Sequence, residues 1–290
     1  MLEETKKRLA NIQAIEPYLN AMRNTSLGNW KIALNRIQAI HQYRGDLIDI
    51  YTAVTASSSA GNKNHDLPDI NPQQQIWLVV GSQKGLVSNF NRRLIGLIEK
   101  EIGTLRSSIQ FTPPHVYVVT NKPSYYQSLL SQTAYQAEVI PFVYDLSFSD
   151  AVQLLNQIPA AGDPAQDVYY FYNVYGKSQN STAMKQAALK NHALETTSSQ
   201  NTAQWPPYIL DSEASAIGDW IQNMLTYLEF QEVLTNSIAS ENSFRHRILE
   251  EAKNNTDRLI HELTIEISMS RKKEITKEIQ ELAVAAGLIQ

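Results

Sequence analysis

Gly81-Ser82-Gln83-Lys84-Gly85 closes a short apolar run and holds residue types that could cradle a phosphate. Glycines let backbone N–H groups approach an anion closely, and a lysine meets its charge. The spacing satisfies neither the P-loop nor the dinucleotide fingerprint, which needs paired glycines before a third. Calorimetry on the isolated chain is expected to show no nucleotide binding. The six histidines, His41, His65, His115, His192, His246 and His261, are scattered, and none stands at a metal-ligand spacing from a second histidine and a carboxylate. Arg245-His246-Arg247 reads as an exposed helix face, and no Gly-x-Ser-x-Gly elbow is present. The chain has no cysteine, which removes disulfides, thiolate nucleophiles and thiolate metal sites and fits a reducing compartment. No cofactor or metal is implied. What remains is Arg271-Lys272-Lys273, a basic run that by itself reads as a solvated helix face.

That basic run lies in a stretch, Asp211 to Gln290, with no proline and glycine only at Gly218 and Gly287. Apolar residues recur there at steps of three and four: Ile217, Trp220, Ile221, Met224, Leu228, then Ile248, Ala252, Leu259, Leu263, Ile267, then Ile275, Ile279, Leu282, Ala286. The spacing predicts one helix with an apolar stripe, on the order of 110 Å long at 1.5 Å per residue. A helix of that length needs a partner. The amino-terminal residues supply one, with Leu9, Ile12, Ile15, Leu19, Met22, Trp30, Leu34, Ile37, Ile40, Leu47, Tyr51 and Val54 at near-heptad steps. Pro17 should bend this helix or mark its true start, since an interior proline costs about 3 kcal/mol.

Between the two, residues 57 to 73 read as a polar loop. Strand-like runs follow at Ile76 to Ser82, at His115 to Thr120, at Glu138 to Val143 and at Asp167 to Tyr175. Amphipathic segments at Leu86 to Leu105, after Lys122 and at Ser149 to Ile158 separate them, the last capped by Ser147 or Ser149. The tyrosines of the Asp167 run are expected to pack the sheet. Ser178 to Thr197 is open, as a last strand or a hairpin. The alternation predicts a Rossmann-like α/β domain with a largely parallel, covered sheet. The expected organisation is α/β, with an amino-terminal coiled-coil helix over 1–57, a central domain over 74–200 and a carboxy-terminal coiled-coil helix over 208–290. The two terminal helices should pair antiparallel.

Composition narrows the partners. The 290 residues carry a net charge of −4, which gives no general electrostatic reason to bind nucleic acid or an anionic membrane. The amino terminus does not read as a secretory signal, and no apolar run approaches the roughly 20 residues of a membrane span. Any link to a membrane is expected to run through partners, without direct insertion.

Ala239-Ser240-Glu241, the stretch 252–255 followed by Leu259-Ile260, Glu262-Leu263, Arg271, and above all the string from Ile275 to Glu281 resemble the γ subunit family of F-type ATP synthases. The segment from Trp77 to Asn91 is similar to that family's strand and turn, and Ala21-Met22 and Lys31 to its first helix. The turn departs from the family pattern: Gln83 to Asn89 stand where an aspartate, an arginine and consecutive glycines are usual, which marks a divergent member. The resemblance implies a non-catalytic rotor whose coiled coil stands in a ring of α and β ATPase subunits, with the ε subunit and the membrane c-ring at its base. It implies a peripheral position on the cytoplasmic side of a membrane. It places Met22, Arg23, Arg271, Lys272, Thr276 and Glu278 at contacts with a β-subunit loop, and Leu282, Leu288 and Ile289 at a tip held in a sleeve of the ring. A coiled-coil scaffold or adaptor, or a rotor-like paralogue of another ATPase, is the alternative that two apolar-striped helices also satisfy.

Overall fold

In the strand β1 (Ile76–Val80) all five side chains are buried, with no polar face. Such a strand has both sides covered, and the computed structural model of the chain shows what covers them. It describes residues 2–58, 75–85, 87–106, 112–130, 137–143, 147–159, 167–175, 181–188 and 212–285. The elements are α1 (Leu2–Ser58), β1, α2 (Ser88–Arg106), β2 (His115–Thr120), α3 (Pro123–Leu130), β3 (Ala137–Pro141), α4 (Phe148–Gln157), β4 (Val168–Tyr175), β5 (Ser181–Ala187) and α5 (Ala214–Ala285). They form two compact units, one of Met1–Gly28 with Arg245–Gln290, the other of Asn29–Phe244.

The larger unit holds the sheet, in the order β3-β2-β1-β4-β5. Its first four strands are parallel, and β5 closes the edge antiparallel to β4. Strand alternation sorts the side chains into two layers. Trp77, Val79, Val118 and Phe171 meet Leu94 and Ile98 of α2 on one face. Leu78, Val80, Val119, Tyr170 and Tyr172 meet Phe230, Val233 and Leu234 of α5, Ala33 of α1, and Leu154 of α4 on the other. Both long helices therefore lend their middle portions to this core. The two helices also run antiparallel within this unit: His41 and Arg44 of α1 reach Glu232 of α5, and Tyr51 meets Gln222. Ser147 is the cap of α4, its hydroxyl accepting from Asp150 N at 3.1 Å. Gly81 ends β1 because nothing larger fits: a Cβ there would stand 2.6 Å from the ring of Tyr126.

In the smaller unit α1 and α5 again lie antiparallel, with Thr5 Oγ1 donating to Glu266 at 3.4 Å and Arg23 paired with Glu250. Two series of the α1 residues shielded here repeat every seven, Leu2, Leu9, Glu16 and Arg23, and Thr5, Ile12, Leu19 and Ser26, with Lys6, Asn20 and Leu27 shielded beside them. This corrects the apolar stripe. Ile15 and Met22 are 53% and 44% exposed, and the polar Glu16 and Arg23 hold the adjoining seam positions. A strict 3.5-residue period keeps the seam on the partner whatever residue types occupy it. The same register continues in the larger unit through Trp30, Ala33, Ile37, Ile40, Arg44, Leu47, Tyr51 and Val54.

Pro17 does not start the helix, which is continuous from Leu2. Pro17 and Gln13 are both exposed, so water can take the Gln13 carbonyl that a backbone N–H at 17 would have met. On α5, Trp220 is 53% exposed and stands off the predicted stripe. Most of the loop expected over 57–73, the closing loop before α5, and Ala286, Leu288 and Ile289 lie outside the described residues.

Candidate functional site

The turn after β1 shows what became of the phosphate-like sequence. Gln83 N and Lys84 N both donate to the carboxylate of Glu241 on α5, at 2.9 and 2.8 Å. Two successive backbone N–H groups make an anion cradle, and here the anion is the chain's own side chain. Glu241 is only 1% exposed. Around it, Thr120 Oγ1 donates to Ser82 O at 2.8 Å, Asn91 Nδ2 to Ser82 Oγ at 2.8 Å, and Tyr126 OH to Asn91 Oδ1 at 2.7 Å. Asn121 Nδ2 donates to Gln83 O at 3.3 Å. The crevice at the carboxyl ends of β1 and β4, where the strand order reverses, is the usual ligand position in such sheets. In this chain Glu241 occupies the backbone donors beside it.

The tyrosines of β4 pack rather than react. Burial raises Tyr170 well above the ordinary phenol range, with the Glu229 charge adding to it. Tyr172 is raised by burial and then by the charges of Glu232 and Glu229, and its hydroxyl donates to Gln186. Among the described residues no group of three histidine, aspartate or glutamate side chains could hold a metal ion.

The second site lies on the smaller unit, where α5 outruns its partner. Leu263 and Ile267 are buried on the seam, and Lys6, Leu9, Ala10 and Gln13 of α1 share a groove with Thr264, Ile267, Ser268 and Arg271. Every described residue from 271 to 285 is exposed except Ala283. Ile275, Ile279, Leu282 and Val284 are 55%, 61%, 69% and 62% exposed, too many large apolar side chains on one short stretch for a solvated helix end. Arg271, Lys272 and Lys273 form its basic collar.

The predicted contact residues fall into two groups that the structure does not bring together. Arg271, Lys272, Thr276 and Glu278 all lie on the exposed segment, and Thr276 Oγ1 donates to Lys272 O at 2.8 Å. Met22 and Arg23 stand elsewhere: Arg23 Nη1 donates to Glu250 Oε2 at 2.9 Å, almost six helical turns from Arg271, roughly 30 Å along α5. Met22 is exposed beside it. Leu282 is exposed; Leu288 and Ile289 lie outside the described residues. Sequence reasoning gave Glu241 no role. The signal was present, since a carboxylate within Ile238-Ala239-Ser240 on a buried helix face has to find donors.

A covered α/β sheet carrying two antiparallel helices, one of which ends in an uncovered apolar and basic segment, defines a subunit made to be held by other chains. The ATP synthase family model matches residues 1–287, and the chain belongs to the γ-chain family of ATP synthases. It is similar to the ATP synthase gamma chain of Amoebophilus asiaticus, at 22% identity over 98% of this chain and 97% of that one. The gamma chain of Nitrosomonas eutropha is 26% identical over 99% and 98%. In fold it is similar to a chain of the Tetrahymena thermophila mitochondrial ATP synthase central stalk and c-ring, with a TM-score of 0.52 and 13% identity, over 81% of this chain and 99% of that one. Family membership makes this a component of the ATPase complex and its rotor subunit, and the scaffold reading is not favoured.

Proposed function

We propose that this chain couples ion flow through the membrane sector to conformational cycling of a catalytic ring of α and β subunits, and performs no covalent chemistry itself. The observation that carries the reading is the exposed segment 271–285, apolar at Ile275, Ile279 and Leu282 and basic at Arg271 and Lys272. Covering a large apolar side chain stabilises an interface by about 1.5–3 kcal/mol, so a sleeve of other chains around this end would gain much and α1 does not supply it. In this reading Leu282, Leu288 and Ile289 enter the sleeve. Arg271, Lys272, Thr276 and Glu278 meet a β-subunit loop, and Met22 with Arg23 meets the ring at a separate level. An ε subunit and the membrane c-ring bind the α/β domain. Among the described residues no helix is long and apolar enough to cross a membrane. In this reading the subunit is held peripherally through its partners, on the cytoplasmic side. Native co-purification is the test: recovery of α- and β-type ATPase subunits with the full chain is expected, and their absence would overturn the assignment.

A further inference from the structure

We propose that Glu241 is the point where α5 grips the α/β domain firmly enough to turn it, an inference that rests on the rotor reading. As a rotor, the chain must pass torque along α5, which is continuous from Ala214 to Ala285 and contributes to both compact units. Within the larger unit α5 touches the domain in two ways. Phe230, Val233, Leu234 and Ile238 pack on the sheet, and such apolar contact has no preferred direction. Hydrogen bonds do have one, and they weaken steeply when bent.

Three polar contacts of α5 with the domain differ in stiffness. Glu229 accepts from the amide of Gln186 at 2.8 Å, and Tyr227 donates to Asn156 at 3.2 Å, so each ends on a side chain that can rotate with the load. Glu241 instead holds two consecutive backbone N–H groups, one on each carboxylate oxygen. The turn it holds cannot yield easily, because Thr120 and Asn121 fix the carbonyls of Ser82 and Gln83. Gly81 at its base lies against the Tyr126 ring. The side-chain amide of Gln83 is buried with no hydrogen-bond partner among the described residues, so it gives the turn no second hold. Glu241 is thus a buried two-point clamp between a helix and the end of the central strand β1.

The test uses Glu241→Ala in the assembled complex, with ATP hydrolysis, ATP-driven ion pumping and hydrogen exchange measured together. Exchange at Gln83 and Lys84 should rise about tenfold or more as two charge-assisted bonds are lost, while β1 stays protected. Hydrolysis should persist while the ions pumped per ATP fall. Unchanged pumping per ATP, unchanged exchange at the two amides, or hydrolysis falling in step with pumping would each overturn the proposal. If Glu241→Ala does not assemble, Glu241→Gln keeps the volume but turns an N–H₂ toward one backbone N–H, and the same loss of pumping per ATP is expected. Failure of the rotor reading looks different: a complex depleted of this chain would then keep full ATP-driven pumping.

Discussion

The guanidinium of Arg23 lies 2.9 Å from the carboxylate of Glu250, joining α1 to α5 at a seam position that a simple coiled coil would fill with leucine. A polar residue there specifies register more than it adds stability. Arg23 is 25% and Glu250 42% exposed at the side chain, so solvent screens much of the attraction. A double-mutant cycle of Arg23→Ala and Glu250→Ala is expected to give a coupling energy of about 0.5–1 kcal/mol by denaturant unfolding, shrinking in high salt. A value several times larger would mean that the pair is effectively desolvated.

The exposed end of α5 should separate stability from assembly. Ile279→Asp and Leu282→Asp remove side chains that none of the described residues covers, so the isolated protein should unfold within about 0.5 kcal/mol of the parent. Binding to an α/β ring should weaken by about 1.5–3 kcal/mol for each residue. Unfolding shifts without a binding loss would show that the segment packs on its own chain.

The basic collar makes a finer prediction. Reversing charge with Arg271→Glu and Lys272→Glu should lower the ions pumped per ATP hydrolysed, because carboxylates or carbonyls that meet these cations would face like charge or lose a donor. Coupling that survives both changes would remove these two residues from the contact.

Alkaline pH should find the sheet before it finds the helices. Tyr170 and Tyr172 have folded-state values raised above the ordinary value of 10, first by burial. Between pH 10 and those raised values the unfolded chain releases phenolic protons that the folded chain keeps. The stabilisation is whole below pH 10 and is lost as pH rises above it, by about 1.4 kcal/mol per pH unit for each tyrosine. Urea midpoints measured from pH 9 to 11.5 should fall accordingly, and Tyr172→Phe should flatten the decline. A parallel decline in that variant would count against this account.

The long helices and the α/β alternation were legible because both depend on the period of burial, which the sequence carries over many repeats. The seam was legible only to within one residue. Ile15 and Met22 looked like its members because they are apolar, yet heptad geometry assigned the adjacent places to Glu16 and Arg23. The antiparallel β5 stayed open in the sequence, as a last strand or a hairpin, because Ser-Thr-Ala-Met-Lys-Gln-Ala has little strand character of its own and is held by β4. Glu241 was hidden for another reason. Its donors lie more than 150 residues away in sequence, and no local pattern announces such a pairing.

The exposed apolar end of α5 also bears on how the cell must handle this chain. A copy made without its partners would present Ile275, Ile279, Leu282 and Val284 to every other newly made chain, an invitation to aggregation. In the proposed assembly, synthesis in proportion to the enclosing subunits, or a chaperone held on this segment until they arrive, would keep those side chains covered.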